Sequence, residues 1–151
     1  GVLERQATEL DALLRSLDEE RARHRYAPGK WSVKEVLGHV TDAERIFAYR
    51  LLCIARGDQT SFPGFDENAY VPNSGADDRS MDDLLDEFAA VRRATLALLR
   101  GLPDAAMTRI GTANGQLVSV RALPFILAGH AQHHLNVLRE RYGVGASATA
   151  S

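Results

Sequence analysis

Three of the chain's five histidines, His130, His133 and His134, fall in one stretch, residues 119–142, SVRALPFILAGHAQHHLNVLRERY. Residues three or four apart share a helix face, so on a helix His130 and His134 point the same way. His133 is turned about 100° from His134 and falls toward the surface. Leu123, Ile126, Leu127, Val137 and Leu138 surround the shared face. Two imidazoles stacked one turn apart among apolar residues suit a divalent metal. Neutral imidazole is the commonest nitrogen ligand, and the i,i+4 spacing lets two rings converge on one ion. The competing reading makes each a core histidine with one satisfied hydrogen bond. A third ligand elsewhere decides between them.

His39, in the stretch GHVTDAER, supplies that ligand. It shares its wheel position with Val36, Ala43 and Ile46, so it too faces inward, although it can also simply cap a buried carbonyl. His39, His130 and His134 together form the candidate metal site.

Four amphipathic segments must position them. Residues 2–22 carry Leu3, Leu10, Leu13, Leu14 and Leu17 at helical spacing, which predicts a first helix. A basic, aromatic connector from Arg23 to Lys30 follows, broken at Pro28-Gly29. Ser32 and Glu35 form a capping box for a second helix from Val33 to Arg56, with Trp31 placed to staple against Val36 and Gly57-Asp58 ending it. Val36, Val40, Ala43, Phe47, Leu51 and Ile54 make its apolar face. Residues 58–79 have no useful helical period and are long against the roughly 2–8 residues usual between neighbouring helices. Phe62, Phe65 and Tyr70 in that stretch predict a loop that packs over something. Ser80 caps a third helix with the stripe Leu84, Leu85, Phe88, Val91, Thr95, Leu98 and Leu99, stopped at Gly101 and Pro103. Asn114-Gly115 predicts a tight hairpin-like turn. Ser119 is then expected to cap the fourth helix, and Pro124 to kink its first turns.

An all-α four-helix bundle, one domain over residues 1–151, accommodates these segments most economically. At 1.5 Å per residue His39 lies about 10 Å from the start of the second helix and His134 about 12 Å from the end of the fourth. Those depths match if the two helices run antiparallel. The long 58–79 segment then acts as a crossover between helices two and three, giving an up-down-down-up bundle.

Composition narrows the function classes. The 151 residues are 45% hydrophobic and 25% charged, as in an ordinary soluble protein able to bury a core. A net charge of −2 and a pI near 6.2 leave no electrostatic footprint for nucleic acid. Cys53 is the one cysteine, so no intrachain disulfide forms, and a reducing, cytoplasmic setting is expected. No apolar run is long enough to span a membrane, and no secretory pattern opens the chain.

Trp31-Ser32, His39 followed by Glu44, Asp66 within Phe65-Asp66-Glu67, and Gly129-His130-x-x-His133-His134 together resemble the DinB/YfiT-like superfamily over about residues 25–142. The resemblance implies a bundle with the long second crossover and a homodimer. It also implies a divalent metal held by three histidines matching His39, His130 and His134. It further implies either a thiol-dependent S-transferase or isomerase, using a low-molecular-weight thiol as cosubstrate, or a hydrolase.

Three neutral imidazoles leave a zinc or nickel ion positive and open, able to take water or a thiolate. Asp42, Glu44 and Asp66 are candidate acceptors for the histidine N–H groups, although Glu44 points about 140° from His39. Asp66 or Glu67 as a fourth ligand instead closes the site into a structural one. Arg45, Arg50, Arg92 and Arg121 are candidate holders of an anionic substrate, with surface ion pairing as the alternative. Tyr49 and Tyr70 are candidates to border the pocket, and Cys53, in an apolar stretch, reads as an inert thiol. The leading expectation is a metal-dependent enzyme acting on a small molecule, without nucleic-acid or membrane partners. The alternative is a non-catalytic, stress-related metal-binding bundle.

Overall fold

The structure, a computed structural model, describes residues 1–146; residues 147–151 of the expected domain lie outside it. Four long helices carry the chain: α1 (Val2–Leu14), α2 (Val33–Ala55), α3 (Met81–Arg100) and α4 (Leu123–Glu140). Each packs against two others, in the cyclic order α1, α3, α2, α4. Among the described residues no helix is long and apolar enough to cross a membrane.

Local chemistry fixes most helix ends. The Ser32 hydroxyl accepts from the Glu35 amide at 3.0 Å while the Glu35 carboxylate accepts from the Ser32 amide at 3.0 Å, the reciprocal bonds of a capping box. Ser80 accepts from the Asp83 amide at 3.1 Å and starts α3. Gly57, at φ 82°, provides the left-handed residue that ends α2.

Three expectations need correction. The first helix does not run to residue 22. It stops at Leu14, and Asp18 accepts from the Arg21 amide to start a separate one-turn helix, Glu19–Ala22. Arg15 at the break reaches Asp11 at 2.6 Å and Asp86 of α3 at 2.9 Å. Ser119 does not cap the fourth helix: its hydroxyl accepts from the Ala122 amide in a turn, and α4 begins at Leu123. Pro124 therefore sits in the first turn, where a missing amide costs no helical bond and forces no kink.

The 58–79 crossover holds more structure than its composition suggests. Strand β1 (Ser61–Phe62) pairs in parallel with β2 (Ile110–Ala113), which pairs antiparallel with β3 (Gln116–Ser119). Asn114 at φ 52° and Gly115 at φ 72° make the turn that joins β2 to β3. Gly111 lets this sheet meet α2, since a Cβ there would lie 2.5 Å from Ile54 Cγ1.

The interior divides in two. One apolar cluster joins Leu10, Leu14, Val36, Leu37, Leu84, Phe88 and Leu135; a smaller one joins Leu51, Ile54, Phe62, Val120 and Leu123 beside the sheet. Between them lies a polar tie drawn from all four long helices. Arg92 of α3 donates to Glu44 of α2 through Nε at 2.8 Å and Nη2 at 2.7 Å, and to the Leu3 carbonyl of α1 at 2.6 Å. Gln6 of α1 in turn donates to the Ala128 carbonyl of α4 at 2.8 Å. Arg92 and Glu44 are 1% and 2% exposed, so the pair is dry and its partners are fixed.

Candidate metal centre

α2 carries His39 inward one turn after Val36, and α4 carries His130 and His134 one turn apart on the face toward it. His39 is buried and the other two half-buried. One ring nitrogen from each lies within 4.8 Å of the others. His39 Nε2 and His130 Nε2 face each other at 3.1 Å. Two lone pairs at that distance need a proton or a cation between them. Two nitrogens bound to one zinc at about 2.0–2.1 Å with a tetrahedral angle sit roughly 3.3 Å apart, so this pair already stands near ligand spacing, and the His134 ring closes the set within 4.8 Å.

Electrostatics keep the rings neutral. Burial, then the neighbouring His130, pulls His39 down to about 4, against a smaller opposing pull from Glu67. Burial, then His130, His39 and His133, takes His134 to about 3. His130 is also lowered, chiefly by burial. Neutral imidazole is the form that ligates.

Aromatic rings hold the cluster. The Trp31 ring lies 4.8 Å from His39 and stacks 6.4 Å from His134, held by a 2.6 Å bond from the Tyr142 hydroxyl to the Trp31 carbonyl. Phe47 meets His130 edge-on at 5.5 Å, and Phe65 lies 6.4 Å from His39. The crossover brings Phe65 and Glu67 over the histidines. It is held by the β1–β2 pairing, by the 2.7 Å bond from Arg50 Nη2 to the Pro63 carbonyl and, near its end, by bonds from Arg25 and Ser32 to Asp77. The histidines open on a cavity of about 380 Å³ whose walls include Trp31, Phe47, Arg50, Phe65 and Glu67. A second cavity of about 360 Å³ adjoins it, sharing Trp31, His133 and His134 and adding Tyr26, Lys30, Arg141 and Tyr142. His133 is exposed, as its wheel position requires, but stands at the rim of both.

The other candidates separate. Glu44 holds Arg92 and is not an acceptor for a histidine. Asp66 caps a one-turn helix, Glu67–Tyr70, by accepting from the Asn68 amide at 3.0 Å. Asp42 is half-buried in a separate small cleft with Gly38, Thr41 and Ser74, where burial raises its carboxyl. Among the described residues no carboxylate accepts a hydrogen bond from the three rings; their one bond is between His39 and His130. Arg45 pairs with Glu87 at 2.5 Å and Arg121 is exposed. Arg92 is spent on Glu44, not on a surface pair or a ligand. Arg50 alone of the four lines the histidine cavity. Tyr49 lies 59% exposed on an outer groove, neither core nor cavity wall. Tyr70 is exposed beside Phe65 and is not among the cavity's walls. Cys53 is half-buried against the smaller core. Sequence reasoning missed the seating of Trp31 on two of the rings and the burial of Arg92. The first had no local signal. The second had one, since Arg92 lies four residues after Phe88 on the inner stripe.

Comparison with known proteins agrees with this architecture. The sequence family described as the DinB superfamily matches residues 3–138. No curated protein sequence matches the chain. Among solved structures, one described as "YfiT from Bacillus subtilis is a probable metal-dependent hydrolase with an unusual four-helix bundle topology" superposes with a TM-score of 0.78 at 20% identity. The match covers 94% of this chain and 84% of that one. At that identity the likeness shows the fold: a four-helix bundle.

Proposed function

The chain belongs to the DinB superfamily, and from that premise we propose that it is a divalent-metal-dependent enzyme whose ion is held by His39, His130 and His134. The convergence of three neutral ring nitrogens within 4.8 Å, at the floor of an open cavity, carries this reading. The description of YfiT as a probable metal-dependent hydrolase points the same way. A zinc or nickel ion bound there supplies Lewis acidity, lowering the pKa of water or a thiol in its open position. The protein's own part is to keep the imidazoles unprotonated, to fix them with Trp31 and Phe47, and to shape the space for a small-molecule substrate. Glu67, the acid in the cavity wall, is placed to take up or return a proton there.

Thiol transfer is favoured over hydrolysis by one observation. Two cavities of similar size meet at Trp31, His133 and His134, and a thiol plus an electrophile needs two sites where hydrolysis needs one. An up-down-down-up bundle is supported by contacts taken two at a time. Arg15–Asp82 and Leu3–Arg92 run α1 against α3. Thr41 beside Leu84 and Leu52 beside Leu98 run α2 along α3. Val36 with Leu135 and Ile54 with Leu123 run α4 against α2. A homodimer is supported by the outer groove between α2 and α3, where Tyr49 and Leu52 are exposed among Ala48, Ala90 and Ala94.

The test is consumption of a bimane or dinitrophenyl electrophile with a low-molecular-weight thiol, beside hydrolysis of an activated ester. Turnover should vanish on chelation, return with zinc or nickel, and be absent in His130→Ala. Turnover that survives chelation would contradict the proposal.

A further inference from the structure

We infer that the histidine cavity is built for a ligand bearing a carboxylate, received by Arg50 while the ligand's other end reaches the three histidines. The inference rests on the metal-site reading and adds the class of molecule. Arg50 is 7% exposed, yet among the described residues no carboxylate pairs with it. Among those residues its one hydrogen bond is the 2.7 Å bond from Nη2 to the Pro63 carbonyl. The contrast is with Arg92, still deeper at 1% exposure, whose charge Glu44 meets. A buried cation without a counter-charge is costly, and proteins keep one where a ligand supplies the missing charge.

A guanidinium carries five N–H donors in a fixed fork that matches a carboxylate. No nitrogen of Arg50 is sealed off without a partner, and the side chain lines the histidine cavity. Phe47, one turn earlier on α2, fills the interval between the two ends. Its ring lies 5.8 Å from the Arg50 guanidinium carbon and 5.5 Å from the His130 ring. The site is thus cationic at one end, apolar in the middle and ligating at the other. Glu67 shares the cavity, but among the described residues it makes no ion pair with Arg50. Burial lowers the Arg50 guanidinium pKa, as it does for a cation without a charged partner.

The probe is a series of ω-mercaptocarboxylates, from mercaptoacetate to 6-mercaptohexanoate, against mercaptoalcohols of matched length. Each is titrated into the cobalt(II)-loaded full chain and followed by thiolate-to-cobalt absorption. The best mercaptocarboxylate should bind at least about tenfold more tightly than its neutral match, the scale of one charge-assisted contact. Arg50→Met should abolish that preference, bringing the ratio of the two affinities to about one, and Arg50→Lys should keep part of it. Equal affinity of charged and neutral thiols for the wild type, or no thiol binding at all, overturns the inference whether or not Arg50→Met folds. A preference that persists in Arg50→Met overturns it too. Failure to bind cobalt is a separate result, which removes the metal reading and this inference with it.

Discussion

A histidine is useful as a ligand only while neutral, and each of the three is held so by what surrounds it. Their lowered pKa values also have a consequence for stability. The unfolded chain takes up protons near pH 6.5, but folded His39 and His134 resist until about 4 and about 3. The unfolded state therefore binds more protons in that window, and stability falls as pH drops from 6.5 toward those values. The metal-free protein should lose melting temperature between pH 7 and pH 5, and His134→Phe, with one buried imidazole fewer, should lose less. Equal losses in the two proteins would mean that the histidine titrates normally in the fold. Metal binding should depend on each ring separately: His134→Ala should retain most helicity by circular dichroism but no stoichiometric metal. Retention of the full metal content would mean that His134 is not a ligand.

At the scale of elements, what was legible in the sequence is what local chemistry decides. The Ser32–Glu35 box, the Ser80 cap and the Asn114-Gly115 turn each act over a few residues, and each stands where expected. The meeting of His39 with His130 and His134 was also legible, because helical rise converts sequence distance into depth. What was not legible depends on partners distant in sequence. β1 is two residues long and has no period to detect; its register comes from Thr112 and Ala113. The break after Leu14 is followed by Arg15 reaching acids of α3, a partner that no local pattern announces. The Arg92–Glu44 tie connects helices that neither residue identifies alone. Removing one partner of such a dry pair leaves the other charge buried. Arg92→Ala should therefore cost about 3–5 kcal/mol in urea unfolding, and Glu44→Gln with Arg92→Met clearly less. A loss under about 1 kcal/mol for Arg92→Ala would mean that water reaches Glu44 and the tie is not dry.

For the whole molecule, the division into two apolar clusters explains where the site can be. The larger cluster grips α1, α2, α3 and α4, the smaller one anchors the sheet, and the sheet holds the crossover over the histidines. A rigid frame thus presents a polar cavity that close packing would otherwise have filled. The outer groove on α2 and α3 has no such role in the frame, and as a dimer face it makes a simple prediction. The wild type should sediment as a dimer and Leu52→Glu as a monomer with unchanged helicity. A monomeric wild type at micromolar concentration would remove the homodimer proposal but leave the metal site untouched.

Everything proposed for the cavity depends on His39, His130 and His134 holding one divalent ion. The decisive experiment is elemental analysis of protein purified without a histidine tag, beside His39→Ala prepared identically. About one zinc, nickel or similar ion per chain is expected in the wild type and none in the variant. A metal-free wild type that stays so after reconstitution, or a His39→Ala variant with undiminished metal, would contradict the three-histidine site and leave these residues as polar members of the bundle interior.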